Sequence, residues 1–400
     1  MDPLEGYSII YFGNEWFAEN RTSSHHIARR LAQRYPLLYI ESPGQRAPRA
    51  TAADMGKIWR KLKDAAQRPR KVGDQVWLLT VPQVPFRRLP LVNQVNAFAS
   101  RALLRRAMRH LKFQKVISWF AAPDAGEIAG HLKEALTVYY VTDNYSLFPG
   151  VDTAQVMRLD NLLTARADQV FVSSPTLLES KRSLNPNSVH APHGVDVAMF
   201  ARASDPATPE AQGTRGLRRP IIGFYGLIEA WIDLELIGEL ARARPDWTFL
   251  MLGRVAAPLG SVADLPNVHF PGPQPYEQLP EWTRAFDVAI IPYKIHFQVL
   301  NASSLKLREY LASGKPIVAK RTPETEQYSG HIRLATSAAE FLREIEAALL
   351  DNSEEARQAR QALVSSLTWD ARFEDVLATV RRRFVETQRE TRRRGPFGYN

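Results

Sequence analysis

One stretch of the chain places two charged side chains at the start of a predicted helix. Residues 304–319 read SLKLREYLASGKPIVA, which predicts a helix that ends at Gly314 and leads into an apolar strand. Lys306 and Glu309 are three residues apart, so their side chains share one face. Backbone N–H groups and the positive end of the helix dipole favour an anion there. The pair therefore indicates an anion-binding site; the alternative is a surface ion pair that stabilises the helix only slightly.

A second candidate is an aspartate that directly follows an apolar segment. The residues LTVYYVT (136–142) predict a buried strand, and Asp143 comes immediately after it. A carboxylate at the carboxyl end of a strand can act as a general base that takes a proton from a hydroxyl group. The alternative is that Asp143 caps the following turn, which is a common use of aspartate.

The elements that must position these residues alternate between apolar strands and helices, which predicts an α/β architecture with mainly parallel sheets. In the first half, strands are predicted at 8–13, 36–42, 75–82, 115–120, 136–142 and 168–174, and helices at 23–35 and 91–111; residues 187–195 end this half. The second half repeats this order, with strands at 221–227, 247–254, 268–273, 288–293 and 316–320.

The chain of 400 residues is expected to form two domains. Residues 201–219 are rich in Ala, Pro, Gly and charge without periodicity, which predicts a linker. We expect an N-terminal Rossmann-like domain at 1–200, a C-terminal one at 220–375, and a basic helix at 376–400 that returns to the N-terminal domain. Ligands of open parallel sheets bind at the carboxyl ends of strands, so the chemistry is expected in a cleft that the two domains face.

The net charge of +10 is concentrated in the first half of the chain. Residues 45–71 hold nine basic and two acidic residues, and Met55, Ile58, Trp59 and Leu62 recur among them at helical spacing. This pattern predicts a basic amphipathic helix that lies on an anionic membrane surface. The alternative is a helix that packs on its own domain and exposes its basic side.

The composition also excludes several classes of protein. Without cysteine, disulfides, a thiol nucleophile and thiolate metal sites are impossible, and a cytoplasmic location is favoured. The first residues do not follow the pattern of a secretory signal, and no apolar run reaches the ~18–20 residues that cross a bilayer. A nucleic-acid partner is not expected, because the sequence lacks an aromatic and basic sheet motif or a recognition helix.

Several segments, taken together and in order, resemble glycosyltransferases of the GT-B type. They are ADQVFVSSPTL, APHGVD, IGFYGLIEAWID, FLMLGR, NVHFPGPQPYEQLPEWTRAFDVAIIPYK and LKLREYLASGKPIV. The resemblance covers nearly the whole chain and extends to group 1 transferases, including membrane-associated glucuronosyltransferases of exopolysaccharide synthesis and teichuronic-acid-type transferases. It implies a GT-B fold whose second domain holds a nucleotide diphosphate sugar, with uridine or guanosine as the nucleoside.

The resemblance assigns roles to residues of the second domain. Glu309 would accept hydrogen bonds from the ribose hydroxyls, Lys306 and Arg254 would meet the diphosphate, and Gly226 would let the backbone approach the phosphates. The donor site implied in this way consists of Gly226, Arg254, Tyr276, Tyr293, Ser304, Lys306 and Glu309, with Tyr276 enclosing the base. The alternatives are a surface role for Arg254, a strand-ending turn at Gly226 and a core role for Tyr276.

One departure from the family pattern bears on the mechanism. Retaining members of the group carry a glutamate eight residues before the motif glutamate, and Asn301 stands at that position here. An amide cannot carry the negative charge, so we expect an inverting reaction. The resemblance to membrane-associated glucuronosyltransferases, in which an aspartate after a strand in this region is the base, implies that role for Asp143. His193, in PHGVD, would contact the donor phosphate or the acceptor, whereas Asp196 would fix the turn.

The acceptor side is expected after the first strand, in the segment GNEWFAENRTSSHH. Candidate contacts there are Glu15, Arg21 and His25, each of which could also be a plain surface residue. A metal is not expected, because no Asp-x-Asp or histidine cluster ends a strand of the donor domain and basic side chains can neutralise the leaving group. No cofactor is expected beyond the nucleotide-sugar co-substrate.

These observations predict a glycosyltransferase that extends a lipid-linked or polysaccharide acceptor, located in the cytoplasm and peripherally on the inner face of the membrane. The alternatives are a retaining transferase and a GT-B-shaped protein without activity that acts as a partner in polysaccharide assembly. Asn301 favours the inactive partner, whereas Lys306, Glu309 and Asp143 together favour an enzyme.

Overall fold

The computed structural model describes residues 2–18, 21–41, 68–81, 90–148, 150–295 and 303–394. They form two compact units. Unit 1 comprises residues 1–192 and 373–400, and unit 2 comprises residues 193–372. Each unit contains one sheet with helices, as the alternation of strands and helices predicts.

Unit 1 is built on an eight-stranded sheet in the order β3-β4-β2-β1-β5-β6-β7-β8. Its neighbouring strands are parallel except for β3 and β4, which form an antiparallel pair at the edge. The strands are β1 (Ser8–Gly13), β2 (Leu37–Glu41), β3 (Arg70–Gly73), β4 (Val76–Thr80), β5 (Val116–Phe120), β6 (Thr137–Val141), β7 (Gln169–Val172) and β8 (Ser188–His190).

Helices cover both faces of this sheet, so the central strands are apolar on both sides. In β1, Ile9 and Tyr11 belong to one core cluster, and Ile10 and Phe12 belong to the other. Among the described residues up to 192, the α-helices of unit 1 are α1 (Ser23–Ala32), α2 (Pro90–Leu111), α3 (Thr153–Arg166) and α4 (Pro175–Arg182).

Unit 2 is built on a parallel six-stranded sheet in the order β11-β10-β9-β12-β13-β14. The strands are β9 (Ile221–Tyr225), β10 (Thr248–Leu252), β11 (Val268–Gly272), β12 (Val288–Ile291), β13 (Ile317–Lys320) and β14 (Arg333–Ala335). The α-helices are α5 (Val197–Ala201), α6 (Leu234–Ala243), α7 (Leu279–Ala285), α8 (Leu305–Ser313), α9 (Pro323–Glu326), α10 (Ala338–Leu350) and α11 (Glu354–Ala362).

The boundaries of the units differ from the predicted domain limits of 200 and 220. Residues 201–219, predicted to be a linker, belong to unit 2. Their polar groups are tied to that unit: Arg219 pairs with Asp287 at 2.7 Å, and Arg284 donates to the carbonyl oxygen of Asp205 at 2.8 Å. The last helix, α12 (Trp369–Arg394), has all residues from Phe373 onward in unit 1.

Helix α12 joins unit 1 through both apolar and charged contacts. Phe373, Leu377 and Phe384 of α12 lie in one core cluster of that unit. Arg381 also pairs with Asp2 at 2.7 Å.

The predicted basic amphipathic helix falls mostly outside the described residues, which resume at residue 68. The last two residues of the 45–71 segment, Arg70 and Lys71, lie in β3 and are not helical. Asn301 also lies outside the described residues. Within the described ranges, no helix has both the length and the apolar character needed to cross a membrane.

Candidate functional site

The helix α8 begins and ends where its sequence predicts. Ser304 is the N-cap, and its side chain accepts a hydrogen bond from the Leu307 N–H at 3.4 Å. Gly314 ends the helix in the left-handed conformation, with φ of +68°. Glu309 is only 7% exposed. The interpretation of Lys306 and Glu309 as a surface ion pair is therefore wrong.

Lys306 lies against the glycine that ends β9. A Cβ added to Gly226 would lie 2.0 Å from Cε of Lys306, and the lysine Nζ is 5.8 Å from the centre of the Phe224 ring. Gly226 has φ of +140°, a conformation that other residues rarely adopt. Gly226 therefore leaves the space that the Lys306 side chain occupies.

A second glycine allows the neighbouring strand end to approach equally closely. Gly253 follows β10 with φ of +130°, and a Cβ there would lie 1.9 Å from the carbonyl oxygen of Gly226. The Gly226 N–H donates to the Leu252 carbonyl at 2.9 Å. Two strand ends without side chains and the Lys306 ammonium group thus form one cationic corner, which suits a phosphate group.

Glu309 lies one turn further along α8, among tyrosines. The Tyr276 hydroxyl is 3.5 Å from its Oε1 atom, and the Tyr310 hydroxyl accepts a hydrogen bond from the Tyr225 N–H at 3.0 Å. Burial raises the pKa of Glu309 to about 7, although the Lys306 charge and the Tyr225 and Tyr276 hydroxyls lower it. A carboxylate in this setting gains from ligand hydroxyls that donate to its charged form.

A buried ion pair that the sequence analysis missed fixes the start of α8. Arg308 Nη1 donates to Oε1 of Glu324 at 3.1 Å, and their side chains are 8% and 17% exposed. The same oxygen accepts from the Ser303 hydroxyl at 2.9 Å, and Oε2 accepts from the Ser304 N–H at 2.7 Å. The sequence did contain a signal for this ion pair, namely an arginine in a helix that is otherwise buried, because a buried charge requires a partner.

The other residues predicted for the donor site differ in exposure. Tyr276 is buried, and its ring contacts Phe200 edge-on at 5.7 Å, so it is a core aromatic that also approaches Glu309. Arg254 is exposed, and its carbonyl accepts from the Ile228 N–H at 3.0 Å. Tyr293 is half-buried and packs against both core clusters of unit 2.

His193 and Asp196 lie at the start of unit 2. His193 is buried, with its ring centre 6.4 Å from that of Trp369. Asp196 caps α5 by accepting from the Met199 N–H at 3.2 Å, as expected for a residue that fixes the turn. Its charge also contributes to the raised pKa of Glu309, so this segment lies near the tyrosine cluster.

Asp143 lies in unit 1, at the carboxyl end of β6. Its Oδ1 accepts from the Asn144 N–H at 2.8 Å, and burial raises its pKa to about 7 against the effect of this hydrogen bond. The residue that precedes the helical turn Tyr145–Leu147 is Asn144. Asp143 is therefore not the N-cap of this turn, and its pKa is close to that of a general base for neutral pH.

The predicted acceptor-side residues surround the start of α1. His25 is buried, with Nε2 at 2.8 Å from the Glu15 carbonyl and Nδ1 accepting from the Thr22 N–H at 3.0 Å. Burial lowers the pKa of His25. Both ring nitrogens of His25 thus contact backbone groups, one of Glu15 and one of Thr22, whereas the Glu15 side chain is exposed and Arg21 is half-buried.

Among the described residues, no three His, Asp or Glu side chains are grouped so that they could hold a metal ion.

Comparison with solved structures identifies the fold. HepE of Anabaena, crystallised with UDP and glucose, superposes with a TM-score of 0.64 over 94% of this chain and 99% of its own, at 14% identity. The UDP-forming trehalose-phosphate synthase of Burkholderia vietnamiensis gives 0.65 over 93% and 96% of the two chains, at 13% identity. This chain has the GT-B fold. The prediction of two Rossmann-like halves is confirmed.

Sequence comparison connects the same chain to a group of transferases. Residues 218–351 match the family model for glycosyl transferases group 1. TuaH of Bacillus subtilis, provisionally named a teichuronic acid biosynthesis glycosyltransferase, is 29% identical over 226 residues. That match covers 53% of this chain and 56% of TuaH, so it spans about half of each protein. The resemblance to group 1 GT-B glycosyltransferases is confirmed.

Proposed function

We propose that the protein is a glycosyltransferase that moves a sugar from a UDP-sugar to a lipid-linked or polysaccharide acceptor of the cell surface. The observation that carries this proposal is the corner formed by Gly226, Gly253 and Lys306, one helical turn from the buried Glu309. A cation and a carboxylate at this spacing suit a nucleoside diphosphate, which offers phosphates at one end and ribose hydroxyls at the other. HepE, with the same fold, binds UDP and glucose.

In this proposal, Lys306 and the first N–H groups of α8 bind the diphosphate, and Arg254 adds a second positive charge. These groups also stabilise the charge that develops on UDP as the bond to the sugar breaks, so the reaction proceeds without a metal ion. Glu309 accepts hydrogen bonds from the ribose. Tyr276 encloses the base, and the remaining donor-side residues of the proposal are Tyr293 and Ser304.

The acceptor is activated by Asp143 of unit 1. Its carboxylate takes the proton of the acceptor hydroxyl while that oxygen attacks the anomeric carbon. The bond between this carbon and the UDP oxygen breaks, and the configuration at the carbon inverts. His193 contacts the donor phosphate or the acceptor, and Glu15, Arg21 and His25 shape the acceptor side.

The location of the protein in the cell, and its partners, follow from an acceptor of this kind. A lipid-linked glycan is available at a membrane surface, so the enzyme works in the cytoplasm as a peripheral protein on the inner face of the cytoplasmic membrane. The relationship to TuaH supports a role in cell-surface glycan synthesis. Retention of configuration and a GT-B-shaped partner without activity are the alternatives; Asn301 in the sequence favours the inactive partner.

A ligand screen tests the donor. Thermal unfolding of the full chain is followed with UDP, GDP and a panel of their sugars, because a ligand at 100 times its Kd stabilises a protein by about 2.7 kcal/mol. We expect stabilisation by UDP and by one or a few UDP-sugars. Stabilisation by GDP compounds alone, or by none of the nucleotides, would contradict the proposal.

A turnover assay with the best donor then separates the enzyme from its alternatives. Release of UDP in the presence of a lipid-linked acceptor is expected for the wild-type chain, and NMR of the product should show an inverted anomeric configuration. Tight donor binding without turnover would favour the inactive partner, and a retained configuration would remove Asp143 from the role of base.

A further inference from the structure

Helix α2 lies in a part of the chain that carries only positive charge. Residues 75–123 contain eight Lys and Arg residues and no Asp or Glu. The C-terminal half of α2 holds Arg101, Arg105, Arg106 and Arg109, and the last three of these are exposed. A helix whose basic side chains have no acidic neighbours along the chain attracts an anionic partner.

The N-terminal half of the same helix exposes apolar side chains. Val95 is 55% exposed and Phe98 is 75% exposed. They are three residues apart, and Phe98 and Arg105 are seven apart, so all three lie along one face. This face therefore combines an aromatic and an aliphatic side chain with arginines one and two turns away.

Helix α3 extends this surface. Arg101 of α2 and Arg158, Leu162 and Arg166 of α3 line a cavity of about 350 Å³, together with Glu127. The basic side chains of the two helices thus adjoin one another at this cavity.

Most of the arginines here contact carbonyl oxygens, which carry no net charge. Arg105 donates to the His131 carbonyl at 2.9 Å, Arg166 to the Ala129 carbonyl at 3.4 Å, and Arg101 to the Glu127 carbonyl. Arg158 pairs with the Glu127 carboxylate at 2.6 Å. Of these four guanidinium groups, only that of Arg158 pairs with a carboxylate among the described residues, so the surface keeps a positive charge.

We propose that this α2–α3 face, made of Val95, Phe98, Arg101, Arg105, Arg158 and Arg166, docks on an anionic lipid bilayer. The apolar side chains enter the headgroup region, and the guanidinium groups pair with lipid phosphates. Exposed aliphatic side chains favour a bilayer as the partner, because a nucleic acid is bound by base stacking and phosphate contacts. The proposal gives the membrane location of the proposed function a specific surface, distinct from residues 45–71.

Vesicle sedimentation of the full chain tests the proposal and does not require turnover. Vesicles of phosphatidylcholine are compared with vesicles that also contain phosphatidylglycerol, at low salt and at high salt. We expect binding only to the anionic vesicles and its loss at high salt, because surface attraction is screened over roughly 8–10 Å at physiological ionic strength. Equal binding to both vesicle types would overturn the proposal.

Three variants locate the surface. Val95→Ser combined with Phe98→Ser should weaken vesicle binding at least about tenfold, since large apolar side chains no longer enter the lipid. Arg105→Glu should weaken binding most at low salt. Leu350→Ser removes a 90% exposed apolar residue of α10 in unit 2 and should leave vesicle binding unchanged.

Each replaced side chain is exposed, so unchanged thermal unfolding should confirm that the variants fold. The proposal would be overturned if the double variant and Arg105→Glu bound vesicles as well as the wild type. It would also be overturned if vesicle binding were lost only when Trp59 and Leu62 of the 45–71 segment were replaced. Tighter binding of single-stranded RNA than of anionic vesicles would also overturn it. Donor affinity, measured separately with UDP, reports on the proposed function alone.

Discussion

Replacement of Glu324 by glutamine should destabilise unit 2 and loosen the start of α8. The change removes the charge that faces Arg308, whose side chain is 8% exposed, and leaves one oxygen for the Ser303 hydroxyl and the Ser304 N–H. Loss of one partner of a buried pair costs about 3–5 kcal/mol. Because the Glu324 side chain is 17% exposed, we expect the lower end of this range, about 3 kcal/mol.

Thermal unfolding and ligand binding together measure this effect. For a unit of this size, about 3 kcal/mol corresponds to a fall in Tm of roughly 6–12 °C. The matched control is Glu326→Gln on the same helix. Glu326 pairs with Arg321 at 3.3 Å, but the side chains are 53% and 49% exposed, so the cost should be about 0–1 kcal/mol.

Nucleotide binding distinguishes a role of Glu324 in positioning the start of α8 from a general loss of stability. Glu324→Gln should weaken UDP binding, which uses the start of α8, far more than binding of uridine, which lacks the phosphates. Adding Arg308→Met should restore much of the stability, since it removes the unpaired charge. A Tm for Glu324→Gln within 2 °C of the Glu326→Gln value would refute this reasoning.

Three further predictions concern the proposed site. Gly226→Ala should weaken UDP binding at least about tenfold, because its methyl group would overlap Lys306; Gly260→Ala, with φ of +58° and open space around it, is the control for calorimetry. UDP binding should strengthen as pH rises through about 7, the pKa of Glu309, because ribose hydroxyls favour its ionised form; Glu309→Gln should remove this dependence, and a flat wild-type profile would contradict the contact. Asp143 has a folded pKa near 7, above its ordinary value of 3.8, so it binds more protons in the folded state between these values and stability falls as pH rises between them. Asp143→Asn should therefore raise Tm at pH 8 and lower kcat by about 10²–10⁴ with little change in donor Kd; near-normal turnover would remove it as the base.

Much of the fold could be predicted from the sequence because its central strands are short apolar runs. The strand predicted at 8–13 coincides with β1, and the helix predicted at 91–111 differs from α2 by one residue. The edge strand β3 could not be predicted in this way. Its residues Arg70–Gly73 are mostly exposed and lack apolar alternation, and they form a strand by pairing with β4.

The site was less predictable than the fold, because its contacts join distant parts of the chain. Sequence spacing placed Lys306 and Glu309 on one face of α8, and the turn at Gly226 could be expected from its residue type. The contact between Lys306 and Gly226, and the ion pair between Arg308 and Glu324, depend on how α8 packs against β9 and α9. Local patterns do not contain this information.

The boundaries of the two units also depend on contacts between distant parts of the chain. Residues 201–219 lack periodicity and therefore predict a linker, yet their polar groups bind side chains and carbonyls of unit 2. In the same way, α12 reads as one continuous helix, so nothing in its pattern marks where its contacts move from unit 2 to unit 1.

Calorimetric titration of the full chain with UDP is the decisive test of the proposed donor site. We predict saturable one-site binding to the wild type, and affinity about 10- to 150-fold weaker in Lys306→Ala, since a charge-assisted hydrogen bond contributes roughly 1.5–3 kcal/mol. Arg343→Ala, which changes a 67% exposed residue on α10, should bind like the wild type. Absence of UDP binding to the wild type, or equal affinity in Lys306→Ala, would refute the proposed UDP site at Lys306.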